Sequence, residues 1–385
     1  MKTDIDNHTV IPMLPPFKVL RQVRILAETL DYNHKLMNIP AMWKLTRGEG
    51  VKVAILDTGL PNHPDLKPAG GKSFIPGYLE DKNGHSTHCG GIVNAIANNG
   101  MGVAGIAPDA QVYYGVVVNE DGGGAIDNIV KGIYWAVDEI KVDIISMSLG
   151  IEAGYPDFKD LRKACDYAKA QGVAVFAAAG NEYGAVGQPA CYPSVIAVAA
   201  VDNAMEHADF SNTGPEVDFA TGGVDVFSTY LNKTYAKLSG TSMACPALVG
   251  LATLILSEHR KRGEKLSPDE LKDHIHRIAF DVGPEGYDDT FGWGIPVFHK
   301  GDDPYAPPGE APAPLPPTTT PDAGAVKKLG IEPNCLSWRL LLKFVSSLDE
   351  NMAFLTPSEA FAATLKKLSI ELHKLDAAMK AKNKS

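Results

Sequence analysis

Residues 51–59 read VKVAILDTG, a near-continuous apolar run that stops at Asp57 and turns at Gly59. Runs of this length suit strands buried on both faces, as in a parallel sheet covered by helices. Four more follow: QVYYGVVV at 111–118, VDIISMSL at 142–149, VAVFAAA at 173–179 and SVIAVAAV at 194–201. Between the second and third of the five runs, Ile126, Ile129, Val130, Ile133 and Val137 recur at helical spacing, as the crossover helix of a right-handed βαβ unit should. The predicted core is α/β, with a mostly parallel central sheet and helices packed around it.

The chain has 385 residues, 45% of them apolar and 21% charged, enough for one large core with appendages. A net charge of −10 with no dense Lys/Arg stripe argues against nucleic acid as a partner. Charge and proline in MKTDIDNHTVIPMLPPF interrupt any secretory apolar core, and no later stretch reads as long and apolar enough for a membrane span, so a cytoplasmic protein is expected. The five cysteines (Cys89, Cys165, Cys191, Cys245, Cys335) are odd in number and widely spaced, which fits free thiols better than disulfides or a zinc site. After residue 300 the composition shifts to DDPYAPPGEAPAPLPPTTTPDAGA, an extended Pro-rich spacer over 301–325. Residues 326–385 read as a helical module, with a capping box at Thr356–Glu359 and an apolar stripe from Phe361 to Met379. That stripe suits a self-packed hairpin or an oligomerisation device.

Three segments carry chemistry. Asp57 stands at the C-terminal end of a buried strand, where α/β sheets present functional groups, although many such proteins end a strand in Asp. NGHSTHCGG places His85 and His88 three apart at a helix start; alone, the pair could be a core or cap feature or half a metal site, but no third ligand is evident. SGTSMACPALVGLATLIL sets Ser242 at the mouth of a long apolar helix, where free backbone N–H groups suit an oxyanion as well as they suit a capping serine. Pro246 reads as falling within the first turn.

Taken together and in order, VAILDTG, NGHSTHCGG, VDIISMSLG, AAAGNE and SGTSMACP resemble the subtilisin-like serine proteases from about Ile39 to Phe298. The leader and HKLMNIPAMW resemble the intracellular branch more narrowly. The resemblance implies a three-layer fold over 21–300 and an endopeptidase using Ser242 as nucleophile, His85 as base, Asp57 as orienting carboxylate and Asn181 as oxyanion donor. Protein or peptide substrate would lie extended along Ser148, Leu149 and Gly150. Its P1 side chain would enter an uncharged slot of Ala178, Ala179, Gly180 and Gly187, which favours large apolar residues. A structural Ca²⁺ site is implied at Asp65, Asn99 and the carbonyls of Ala97, Met101 and Val103; a loop closed by its own hydrogen bonds is the bland alternative. Residues 1–20 resemble an inhibitory extension, with Val10-Ile11-Pro12-Met13 pairing near Ser148–Gly150 as a substrate would. Two positions depart from the family: Ser86, expected to add bulk beside His85, stands where Gly is usual, and Ala247 where His is usual. The rival readings are an inactive scaffold of the same fold that binds peptides, and an esterase. The second wants its acid and base after the serine, whereas Asp57 and His85 precede Ser242.

Overall fold

The apolar runs do form a sheet: β1 (Lys52–Asp57), β2 (Gly70–Ser73), β3 (Gln111–Val116), β4 (Ile144–Met147), β5 (Ala174–Ala178), β6 (Val195–Val201) and β7 (Val217–Gly222). In this computed structural model they lie in the order β7-β6-β5-β4-β1-β3-β2, and every pairing between them is parallel. Residues 6–14, 19, 22–23 and 27–298 are described; the expected linker and C-terminal helical module lie outside them.

Alternation along each strand divides the interior into two cores. Val53 and Ile55 of β1 pack in one, with Ile92 and Val93 of α1 (His85–Asn94) and Leu248, Leu251 and Ile255 of α4 (Thr241–Lys261). Ala54 and Leu56 pack in the other, with Ile126, Ile129 and Ile133 of α2 (Ile126–Tyr134) and Leu161 and Ala164 of α3 (Lys159–Ala170). Helices thus cover both faces, which is why the central strands β4, β5 and β6 are almost wholly apolar. The expected crossover helix continues past α2 as a wider turn from Trp135 to Ile140.

One expectation needs correcting. The α4 helix holds an 18-residue window of mean hydropathy 1.4, apolar enough to cross a membrane, yet 94% of that window is buried inside the domain. Its hydrophobicity serves the core.

Two elements frame the site without belonging to the sheet. A hairpin of Val226–Tyr230 and Thr234–Leu238 packs on α1, where Ser228 Oγ and Thr229 Oγ1 donate to the carbonyls of His88 and Thr87. Near the N-terminus, Val10–Pro12 pairs antiparallel with Gly123–Ala125.

Candidate active site

Asp57 closes β1 between β3 and β4, where the strand order reverses and α/β sheets open a crevice beyond their carboxyl ends. Its carboxylate is fully buried and accepts the Thr58 N–H at 2.7 Å. His85 opens α1, and its Nδ1 lies 2.9 and 3.0 Å from the two Asp57 oxygens. A carboxylate accepts, so Nδ1 carries the proton and Nε2 is the basic nitrogen. Burial works against an imidazolium here, but the charge and hydrogen bond of Asp57, together with Cys89, outweigh it and hold His85 well above the usual histidine range. The companion His88 has a different environment. Its Nε2 lies 3.1 Å from the carbonyls of both Val226 and Ala236, and burial pushes it down to about 3, so it ties α1 to the hairpin as a neutral ring.

Ser242 is the second residue of α4, and its hydroxyl donates to the Ser148 carbonyl at 3.1 Å. Pro246 does not fall in the first turn as expected, because the helix begins at Thr241. Its missing N–H leaves the Ser242 carbonyl without the helical partner four residues on. That carbonyl accepts instead from Ser148 Oγ at 2.8 Å and the Cys89 thiol at 3.4 Å. Ser148 therefore holds the backbone of Ser242 from outside its helix, a role that reading it as part of a substrate-binding segment did not include.

Asn181 is oriented by Thr241, whose N–H and hydroxyl donate to Asn181 Oδ1 at 2.9 and 2.8 Å. The amide nitrogen is thereby turned the other way. A Cβ built on Gly240 would lie 3.1 Å from that nitrogen and 3.7 Å from the Ser242 N, so two donors converge on one space that a side chain at Gly240 would fill. Asn212 secures the same loop by donating to the Ala179 and Ala185 carbonyls and the Glu182 carboxylate, and by accepting from the Glu182 and Gly184 N–H groups. Nothing in SNTG, distant in sequence, flagged it.

Leu149, Gly150, Ala178, Ala179, Gly180 and Gly187 line one cleft together with Asn181 and Ser242. A side chain at Gly187 would meet the Ile151 carbonyl at 2.4 Å, so the slot floor is bare backbone. Glu182 also lines the cleft, but its carboxylate is engaged by Asn212 and the Asn181 N–H. The bulk that Ser86 adds beside His85 is fully buried, and its hydroxyl donates to the Gly59 carbonyl at 2.6 Å.

The leader enters the same cleft, in a register other than expected. Val10, Ile11 and Pro12 pair with Ala125, Gly124 and Gly123, the opposite wall from Ser148–Gly150, which is reached only where the Gly150 N–H donates to the Met13 carbonyl at 2.9 Å. Small residues permit this approach, since a Cβ at Gly124 would lie 2.5 Å from Met13 Sδ. Met13 is 1% exposed.

Asp65 is fully buried, and Asn99 Nδ2, the Val103 N–H and the Tyr235 hydroxyl converge on it at 2.5, 3.1 and 3.2 Å. Left-handed Asn98, Gly100 and Gly102 curl the loop around it. Glu28, which the sequence reading missed, accepts the Asn99 N–H at 3.1 Å. Two carboxylates beside an amide that can turn its oxygen inward make a hard-oxygen donor set that fits Ca²⁺.

The fold and this cleft together define a hydrolase of the serine type on a parallel α/β sheet. The peptidase S8 profile of the subtilase family matches residues 48–294. The chain is 43% identical over 249 residues to subtilisin DY of Bacillus licheniformis, covering 63% of this chain and 88% of that protein. It is 41% identical over 255 residues to an intracellular serine protease of Paenibacillus polymyxa, covering 62% of this chain and 76% of that protein. The chain belongs to the subtilase family and is a subtilisin-like serine endopeptidase.

Proposed function

We propose that Ser242 attacks the scissile carbonyl, with His85 as general base and Asp57 as the group that fixes the imidazole. The observation that carries this reading is the buried His85–Asp57 pair at 2.9 Å, with Ser242 in the adjoining cleft. Turning the Ser242 hydroxyl from the Ser148 carbonyl toward His85 hands its proton to Nε2 and frees Oγ to bond the carbonyl carbon. Charge then collects on the substrate oxygen, where Asn181 Nδ2 and the Ser242 N–H stabilise it. The imidazolium returns the proton to the leaving amine, and water hydrolyses the acyl-enzyme by the same steps in reverse roles.

Substrate lies along Ser148, Leu149 and Gly150, with P1 between Ala178–Gly180 and Gly187. Since the Glu182 charge is engaged, large apolar P1 residues are preferred. Residues 6–14 act as an inhibitory strand in that cleft, and similarity to an intracellular protease supports action inside the cell. Asp65, Asn99, Glu28 and the carbonyls of Ala97, Met101 and Val103 would hold a structural Ca²⁺, which supplies positive charge beside the buried Asp65 carboxylate and the half-buried Glu28.

Ser242→Ala is the direct test. Peptide hydrolysis should drop to background while the unfolding transition stays intact; turnover at the original rate would refute the assignment.

A further inference from the structure

Asp81 is 5% exposed, and protein donors converge on both oxygens of its carboxylate. The Thr58 hydroxyl (2.9 Å) and the N–H groups of Asn83 (3.1 Å) and Gly84 (3.0 Å) bond Oδ1, while the Thr87 N–H (2.9 Å) and hydroxyl (2.6 Å) bond Oδ2. Three of these donors sit on the first turn of α1 or its cap, and one belongs to Thr58, which follows directly on Asp57. The cap residue Gly84 has no side chain of its own to offer. The first N–H groups of the helix are instead taken by neighbours: His85 by Asn83 Oδ1, Ser86 by Thr58 Oγ1 and Thr87 by Asp81.

Thr58 is the joint between the two halves. Its N–H bonds Asp57 Oδ1, its hydroxyl donates to Asp81, and the same oxygen accepts the Ser86 N–H at 3.1 Å. The strand end that carries Asp57 is thus tied to the helix start that carries His85 by bonds that bypass the imidazole. The backbones also touch, since a Cβ on Gly59 would lie 2.2 Å from the Asp81 Cα.

We infer that Asp81 is a positioning residue, which holds His85 at its distance from Asp57 through Thr58 and the first turn of α1; this rests on the triad reading above. A carboxylate suits the task because it only accepts, and every group facing it donates. An amide in its place would turn an NH₂ against some of those donors.

The test uses the full chain with Asp81→Asn, Thr58→Val and Thr87→Val. It measures kcat and KM on a peptide, the rate of fluorophosphonate labelling at Ser242, the acid limb of the pH profile, and calorimetric Tm. Misplacing the base should lower kcat and labelling by about 10- to 100-fold, with KM changed by less than about twofold. Thr58→Val alters no charge, so a downward shift of its acid limb reports a loosened His85–Asp57 pair. Should Asp81→Asn fail to fold, the two valine variants carry the test. A lower Tm with kcat and acid limb unchanged would make Asp81 a helix cap and nothing more, overturning the inference. Failure of the unsubstituted chain to label at Ser242 even after residues 1–17 are removed, so that the proposed inhibitory strand no longer fills the cleft, would instead overturn the triad reading.

Discussion

Burial of His85 is opposed by the charge and hydrogen bond of Asp57 and by Cys89, and together these prevail. Because the base must be neutral to work, the acid limb of kcat/KM should lie above the 6.5 of an ordinary imidazole. The sign for stability runs the other way. A raised pKa contributes stability that is complete below the unfolded value and is lost as pH rises through the folded one. The Tm advantage of the chain over His85→Ala should therefore shrink on alkaline titration; a constant difference would contradict the raised pKa. Cys89 adds a second expectation, since its sulfur lies 3.8 Å from His85 Nδ1 and 3.4 Å from the Ser242 carbonyl. Mercury bound there would displace both groups, so mercurials should inhibit, and Cys89→Ala should stay active and lose that sensitivity. Inhibition that survives the substitution would place the reactive thiol elsewhere. At this scale the sequence reading could propose Asp57, His85, Ser242 and Asn181 because each sits in a short local pattern. Thr241 and Asn212 escaped because their bonds cross the fold, which no local pattern records, and Asp81 because its tie to the Asp57 strand runs through Thr58, distant in sequence.

Among elements, legibility followed apolar content. β1, β3, β4, β5 and β6 announce themselves as apolar runs, whereas the edge strand β2 is Gly-Gly-Lys-Ser and exists only because β3 offers it a ladder. Val226–Tyr230 and Thr234–Leu238 mix core residues such as Val226 and Leu238 with polar ones, and the Ser228 and Thr229 hydroxyls bond α1, so no clean apolar run marks them. The loop at Ala97–Val103 was read only through resemblance, and its partner Glu28 lay too far away in sequence to be joined to it. Free Ca²⁺ at about 100-fold above its Kd should add about 2.7 kcal/mol. In a domain of this size that raises Tm by roughly 5–10 °C. Chelation should remove the gain, and Asp65→Asn should make Tm indifferent to calcium; equal Tm with and without the ion in the unsubstituted chain would dismiss the site.

For the molecule as a whole, the leader sets the resting state under the proposed reading. Deleting residues 1–17 should raise kcat/KM, and the freed peptide should inhibit the shortened enzyme competitively. Equal activity of the two forms would reject inhibition. The strand Val10–Pro12 is covalently part of the chain whose cleft it enters, and this has a kinetic consequence. A tethered segment acts at an effective concentration on the order of millimolar however dilute the protein becomes, so dilution cannot switch the enzyme on. Cutting the tether can, and the cut is irreversible. If one freed molecule opens the next, the time course is autocatalytic: a lag, then a steep rise, with the lag shortening as total protein increases. The same strand that keeps a single molecule quiet would thus make a population respond as a threshold.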